Sequence, residues 1–211
     1  MPALRGPGTP AAKARVGLLG GSFNPAHGGH LHISRLALER LGLDQVWWLV
    51  SPQNPLKPAA GMAPLDERLA RARTIVDDRR IVVTAIERDL GTRYAVDTLR
   101  LLKRRYPGTR FVWLMGADNL VQVPRWNRWR TVFRMVPIAV FARPTYSSRA
   151  LSGRAARRFA GARVRAARAG GLADLRPPAW VFLRTPLHGA SATRIRARRA
   201  AKGGRALGET E

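Results

Sequence analysis

The feature that most constrains this chain is a glycine-rich segment, residues 20–30, which reads GGSFNPAHGGH. A short apolar run at 16–19 precedes it, and apolar residues with helical spacing follow it from 31 to 38. The order is therefore strand, glycine loop and helix. Glycine lets a backbone come close to a phosphate, and the start of a helix attracts anions through its N–H groups and its dipole. The segment predicts a site for nucleotide phosphates.

Two histidines stand where this helix begins. His27 and His30 are three residues apart, so both side chains can face one ligand from the first helical turn. His32 lies two positions beyond His30 and points elsewhere on the helix, so a structural role explains it equally well. The segment has neither the Lys-Ser/Thr ending of a P-loop nor the spacing G-x-G-x-x-G, so these two phosphate-binding motifs do not explain it.

Two motifs carry a family resemblance. The residues GSFNPAHGGH at 21–30 resemble the signature of the nucleotidyltransferases whose loop ends in His-x-Gly-His, and SATRIR at 191–196 is similar to that family's Ser-x-Thr-x-Ile-Arg. Over residues 15–200 the chain resembles the bacterial nicotinate-nucleotide adenylyltransferases. The resemblance implies a Rossmann-like fold and the reaction of ATP with nicotinate mononucleotide, which gives deamido-NAD and pyrophosphate.

Strand and helix patterns alternate along the rest of the chain. The predicted strands, besides 16–19, are 45–50, 81–86, 110–115, 138–141 and 180–183. The predicted helices are 31–38, 65–76, 94–106, 129–135 and 191–201. This alternation predicts right-handed crossovers and a doubly wound α/β fold, with a mostly parallel sheet and helices on both faces. Ligands of such sheets bind at the carboxyl ends of the strands, where the loops of interest lie.

For ATP, the resemblance implies a clamp with two halves. The first half, around the α-phosphate, consists of Gly20, Gly21, Ser22, Phe23, His27 and His30. His30 is the first choice for stabilising the transition state. The second half consists of Ser191, Thr193 and Arg196, which hold the β- and γ-phosphates from another helix start. The resemblance places the ATP ribose at Gly116 and Asp118, although an Asp after a strand, taken alone, is more often a helix cap.

For the acceptor, the resemblance implies a separate group of residues. Nicotinate mononucleotide is expected to contact Asn54, Lys57, Tyr94, Ala95, Trp126 and Asn127. An indole face suits a flat heteroaromatic ring, so Trp126 is expected to stack on the pyridine, whereas Trp129 is expected in the core. Ala95 stands where the family often has threonine, which leaves only a backbone N–H for the nicotinate carboxylate.

The sequence offers no recognisable nucleophile or paired-carboxylate motif, and the expected reaction needs none. A phosphate monoester is already nucleophilic at neutral pH, and nucleotidyl transfer depends mainly on alignment and on charge stabilisation. ATP implies Mg²⁺, which commonly keeps its waters and binds substrate oxygens. No protein ligand is assigned to the metal.

Length and composition complete the expectations. The 211 residues suit one domain, with 1–14 a disordered extension, 15–211 the nucleotidyltransferase domain and 144–179 an Arg-rich variable segment. The chain has no cysteine, no signal-peptide core and no apolar run long enough for a membrane span, which predicts a soluble cytoplasmic protein. A homo-oligomer remains an open alternative.

A formal net charge of +25 suggests a different class of function. The arginines at 149–168 could form a helix that binds nucleic acid through its phosphates. A solvated helical face is the favoured interpretation, because arginine is spread over the whole chain, so nucleic acid is not an expected partner. Within the enzyme class, the alternative acceptors are nicotinamide mononucleotide and phosphopantetheine.

Overall fold

A computed structural model describes residues 10, 13–53 and 60–184 of the chain. Within them, seven strands form one sheet in which every neighbouring pair is parallel. The strands are β1 (Arg15–Gly21), β2 (Gln45–Val50), β3 (Ile81–Thr84), β4 (Arg110–Gly116), β5 (Ile138–Phe141), β6 (Arg163–Val164) and β7 (Trp180–Leu183).

Helices connect these strands. The described helices are α1 (Gly28–Arg40), α2 (Leu65–Ile75), α3 (Ile86–Asp89), α4 (Ala95–Arg105), α5 (Ala117–Gln122), α6 (Trp129–Met135), α7 (Ser147–Leu151) and α8 (Arg154–Arg158), with 3₁₀ turns at Val123–Arg125, Ala160–Ala162 and Ala166–Asp174. The charges of α4 show why such segments are helical. Asp97 lies in its first turn and Lys103, Arg104 and Arg105 in its last, so both ends complement the helix dipole.

The strand order β3-β2-β1-β4-β5-β7-β6 fixes where a ligand can bind. From β1 the chain winds outward through β2 to β3, and it then returns to place β4 on the other side of β1. The winding therefore reverses between β1 and β4, and the crevice lies at their carboxyl ends. The segment at 20–30 begins with the last two residues of β1, and Gly116–Asp118 spans the end of β4 and the start of α5, so both predicted ATP-binding segments lie at this crevice.

Two buried apolar layers lie on the two faces of the sheet. Val16 and Leu18 of β1 belong to one layer, which α4 and α6 cover. Leu19 belongs to the other layer, which α1, α2 and the 3₁₀ turn at Ala166–Asp174 cover. Because successive strand residues face opposite sides, both faces of the sheet are apolar. The predicted doubly wound α/β fold is confirmed.

Three local predictions need correction or fall outside this description. The predicted strand at 81–86 ends at Thr84, whose hydroxyl accepts the backbone N–H of Ile86 (3.1 Å) and helps to start α3. The arginines at 149–168 do not form one helix, because α7, α8, a 3₁₀ turn and the unpredicted edge strand β6 divide them. The predicted helix at 191–201 lies outside the described residues, as does most of 1–14. No described helix is long and apolar enough to cross a membrane.

Candidate active site

The two histidines after β1 build the start of α1 together. His27 is the N-cap residue, and its Nδ1 accepts a hydrogen bond from the Gly29 backbone N–H (3.1 Å). In return, Nδ1 of His30 accepts the backbone N–H of His27 (3.2 Å). This reciprocal pattern is that of a capping box, with imidazole nitrogens in place of the usual hydroxyl and carboxylate oxygens. The start of α1 is thereby fixed by the same residues that were predicted to bind phosphate.

The caps also determine where the protons lie. A nitrogen that accepts a hydrogen bond carries no proton, so each neutral ring has its proton on Nε2. The ring centroids of His27 and His30 are 3.9 Å apart, with the planes tilted by 34°. His27 is buried and His30 is half-buried. The arrangement places two imidazole Nε2–H donors side by side at the positive end of a helix dipole, which suits an anionic oxygen.

Two buried aromatic rings support His30. Phe23 has a φ of +47°, which L-residues adopt only rarely, and its ring lies 4.6 Å from that of His30 and 5.0 Å from that of Trp48. Trp48 Nε1 donates to the Ser34 hydroxyl (2.7 Å), which donates to the His30 carbonyl (2.9 Å). Ring and backbone of His30 are thus both held. The sequence did not identify Trp48 or Ser34, because each has an ordinary place on an apolar strand or helix.

The glycines of the loop and of β4 are required by close packing. A Cβ on Gly20 would lie 3.0 Å from the Trp113 indole. A Cβ on Gly116 would collide with Oδ1 of Asp118 and lie 2.7 Å from Nε of Arg143. Gly116 is also the N-cap residue of α5. These glycines let side chains approach the carboxyl ends of β1 and β4.

Asp118 is not the cap of α5. It is the second residue of the helix, and its Oδ1 lies 3.2 Å from Nε of Arg143. The two atoms are close enough for an ion pair, but they are not aligned for a hydrogen bond. Both side chains are about a quarter exposed, at 28% and 24%. A carboxylate beside the winding reversal is therefore available to hydroxyl groups, and Arg143, which the sequence did not identify, holds it in place.

The predicted acceptor residues that the structure describes lie at the start of α4 and directly after a 3₁₀ turn. Tyr94 is the N-cap residue of α4, where its carbonyl accepts the N–H groups of Asp97 (2.9 Å) and Thr98 (3.1 Å), and Ala95 is the first helical residue. Trp126 follows the 3₁₀ turn at Val123–Arg125 and is partly buried. The first backbone N–H groups of a helix point out of its N-terminus, an arrangement that suits a carboxylate.

Trp126 packs against Trp113 of β4, which connects it to the carboxyl edge of the sheet. Its ring meets Trp113 edge-on, with centroids 6.0 Å apart, and Trp113 is the residue that packs against Gly20. Asn127 is exposed, and its Oδ1 accepts a hydrogen bond from Nε of Arg128 (3.2 Å). Trp129 is buried edge-on against two phenylalanines, which confirms its predicted place in the core.

A buried carboxyl between β2 and α4 was not predicted. Glu87 is 6% exposed, and Oε1 accepts a hydrogen bond from the Thr98 hydroxyl (3.2 Å). Thr98 Oγ1 also lies 3.2 Å from the Tyr94 carbonyl, so Glu87 belongs to the network that shapes the start of α4. Burial raises the pKa of Glu87 to about 7, although hydrogen bonds from Thr98 and Ser51 act in the opposite direction. The polar surroundings of Glu87 in the sequence make it look exposed.

The other predicted site residues lie outside the described residues: Asn54, Lys57, Ser191, Thr193 and Arg196. The described residues therefore include those predicted for the α-phosphate half of the clamp, for the ribose and for part of the acceptor position. Within residues 13–53 and 60–184, no three His, Cys, Asp or Glu side chains come together as ligands for a metal ion.

Comparisons with known proteins identify relatives over most of the chain. A family model described as cytidylyltransferase-like matches residues 18–198. The probable nicotinate-nucleotide adenylyltransferase of Cereibacter sphaeroides is 58% identical over 182 residues, covering 86% of this chain and 96% of that protein. The protein of the same name from Parvibaculum lavamentivorans is 56% identical over 190 residues, covering 90% of this chain and 94% of the relative.

A solved structure is similar to this chain in fold. The Plasmodium falciparum nicotinic acid mononucleotide adenylyltransferase complexed with NaAD has a TM-score of 0.63 to this chain, covering 87% of this chain and 83% of that one. Its sequence identity is 14%, so the likeness concerns the fold alone. The Rossmann-like arrangement is common to both chains.

Proposed function

This chain belongs to the nicotinate-nucleotide adenylyltransferases, and we infer that it transfers the adenylyl group of ATP to nicotinate mononucleotide, giving deamido-NAD and pyrophosphate. The observation that carries this conclusion is an identity of 54–58% to proteins of that name over 86–90% of the chain. The reaction belongs to NAD biosynthesis. The proposed location is the cytoplasm, which suits a chain without cysteine.

In the proposed mechanism, the acceptor phosphate is the nucleophile. One of its oxygens attacks the α-phosphorus of ATP, and the bond from that phosphorus to the α–β bridging oxygen breaks, so that pyrophosphate leaves. Negative charge on the α-phosphate oxygens must be stabilised during this exchange. The Nε2–H groups of His27 and His30 are donors of the right type, already oriented by their Nδ1 caps. Such preorganised donors stabilise charge without rearranging during the reaction.

The remaining predicted contacts complete the two substrate positions. We propose that Asp118 accepts hydrogen bonds from the ATP ribose, and that Ser191, Thr193 and Arg196 hold the β- and γ-phosphates. For the acceptor, Trp126 stacks on the pyridine, and the start of α4 at Tyr94 and Ala95 receives the carboxylate. Asn54, Lys57 and Asn127 complete the mononucleotide position. Backbone N–H groups that a helix start leaves without intrahelical partners favour an acid over an amide.

Mg²⁺ is proposed as the companion of ATP. When bound, it neutralises phosphate oxygens and orients the leaving pyrophosphate. The described residues offer no set of three acidic or imidazole ligands for it, so we propose phosphate oxygens and waters as its ligands. The histidines keep their role as hydrogen-bond donors in this scheme.

The test is pyrophosphate release with ATP, Mg²⁺ and each of three acceptors: nicotinate mononucleotide, nicotinamide mononucleotide and phosphopantetheine. Turnover with the nicotinate compound, and formation of deamido-NAD, is the expected result. No release with any acceptor would refute the proposed activity, and preference for the amide would overturn the proposed substrate.

A pair of histidine variants links the activity to the described site. His30→Ala is expected to lower kcat about 100-fold, as loss of one preorganised donor does elsewhere. His32→Ala is the matched control, since the same residue type lies two positions further along the same helix, and it should keep turnover within about twofold. Equal effects of the two substitutions would contradict the role given to His30.

A further inference from the structure

Arg68 is a buried cation that joins three segments of backbone. It lies on α2, is 2% exposed, and no described carboxylate forms a salt bridge with it. Instead, its guanidinium donates to four carbonyl oxygens: those of Ser22 (2.6 Å), Ser51 (2.8 Å), Pro52 (3.0 Å) and Ala63 (2.8 Å). Buried charge is costly unless hydrogen bonds compensate it. The position therefore calls for an explanation.

Three of the four carbonyls belong to segments that are predicted to contact the two substrates of the proposed reaction, and the fourth, that of Ala63, lies just before α2. Ser22 lies in the glycine-rich loop after β1, and Ser51 and Pro52 begin the segment after β2. The first segment leads to the histidines, and the second leads to Asn54 and Lys57. A guanidinium carries five N–H groups in one plane, so it can donate to all four carbonyl oxygens at once. A lysine ammonium has three donors at one point and cannot span them in this way.

Peptide geometry determines what these hydrogen bonds do on the other side. A trans peptide unit is planar, with its C=O and N–H pointing in opposite directions. Because the Ser22 and Pro52 carbonyls point to Arg68, the N–H groups of Phe23 and Gln53 point away from it. The guanidinium polarises both peptide units, which strengthens these N–H groups as donors.

We propose that Arg68 is a positioning residue for the phosphate groups of both substrates, because it directs the Phe23 and Gln53 amides toward them. This inference rests on the proposed function for the identity of the substrates. The positive charge of Arg68 also attracts phosphate groups to the proposed site, because no described carboxylate neutralises this charge. Burial lowers the pKa of this guanidinium, but arginine remains protonated at neutral pH.

The test separates phosphate binding from general stability. Arg68→Lys keeps a positive charge but loses the fork, and Arg71→Lys is the control, because Arg71 is an exposed residue of the same helix that pairs with Glu67. Calorimetry compares ATP with adenosine, and nicotinate mononucleotide with its riboside. We expect Arg68→Lys to weaken binding of each phosphorylated ligand about tenfold or more and to leave each nucleoside within about twofold. Equal weakening of ligands with and without phosphate would mean a purely structural role and would overturn the proposal.

A measurement on the unaltered protein covers the case in which Arg68→Lys does not fold. Addition of inorganic tripolyphosphate should move the amide proton resonances of Phe23 and Gln53 downfield, as hydrogen bonding to phosphate requires. Resonances that stay in place would refute the proposed direction of these amides. Neither measurement depends on turnover. An inactive protein that gives the expected binding would therefore contradict the proposed function while leaving the role of Arg68 intact.

Discussion

Glu87→Gln is expected to stabilise the protein at high pH and to have little effect at low pH. The Glu87 side chain is buried, with hydroxyl groups from Thr98 and Ser51 as its hydrogen-bond partners. The neighbouring Arg88 pairs with Asp66 and Asp89 instead, and no described cation forms a salt bridge with Glu87. Burial therefore dominates and raises the pKa of this carboxyl from its ordinary value of 4.5 to about 7.

The sign of the pH effect follows from proton binding. Between about pH 4.5 and 7 the folded protein holds a proton at Glu87 that the unfolded chain releases. The free energy of unfolding therefore falls as the pH rises through this window, and the Glu87 contribution is constant above it. Each pH unit in the window is worth about 1.4 kcal/mol, so the complete effect is about 3 kcal/mol. Glutamine is neutral throughout and imitates the protonated carboxyl, so the variant loses this dependence.

The assay is urea unfolding of the wild type and of Glu87→Gln at pH 4.5 and pH 8. At pH 4.5 the two free energies of unfolding should agree to about 1 kcal/mol, since the amide replaces a protonated carboxyl. At pH 8 the variant should be more stable by up to about 3 kcal/mol. Comparison at equal pH removes the contribution of the large net charge, because all other groups are the same.

Glu39→Gln is the matched control, because Glu39 is exposed on α1. Its stability difference from the wild type should stay within about 0.5 kcal/mol, as is usual for a surface substitution. A difference for Glu87→Gln that is the same at pH 4.5 and pH 8 would refute the reasoning, since it would mean that Glu87 has the same pKa in the folded and unfolded states.

Three further substitutions test the two substrate positions by initial rates. Gly116→Ala places a Cβ against Asp118, so we expect the KM for ATP to rise about tenfold; an unchanged KM would contradict the ribose position. Trp126→Ala removes the proposed stacking ring, so the KM for nicotinate mononucleotide should rise about tenfold while the KM for ATP stays within about twofold; a rise in both would indicate a packing role instead. His27→Asn keeps an N-cap but removes the Nε2–H donor, so stability should change by less than about 1 kcal/mol while kcat falls about 100-fold. A kcat within about threefold of the wild type would show that His27 acts only as a cap.

The parts of the fold that could be predicted are those that short sequence patterns determine. The strands at 45–50, 138–141 and 180–183 have the predicted bounds, because continuous apolar runs in a parallel sheet are buried on both faces. The two-residue strand β6 could not be predicted, since it is too short to show a period. At the end of β3, the Thr84 hydroxyl accepts the backbone N–H of Ile86, and the sequence pattern at 81–86 does not show this contact.

The same distinction applies to the residues of the candidate site. Those that interact with near neighbours in the sequence could be predicted, and those that depend on distant segments could not. His27 and His30 are three residues apart and orient each other. The glycine-rich segment therefore determines the start of α1, the tautomers of both rings and their Nε2–H donors. Arg68 and Glu87 depend on strands and loops far away in the chain, and in the sequence both stand among charged residues that suggest a solvated face. Burial of a charge becomes visible only when the surrounding carbonyls and hydroxyls are assembled. A motif can therefore identify the groups that are proposed to contact the reacting phosphate, whereas the residue proposed to orient the peptide groups around it is found only in the structure.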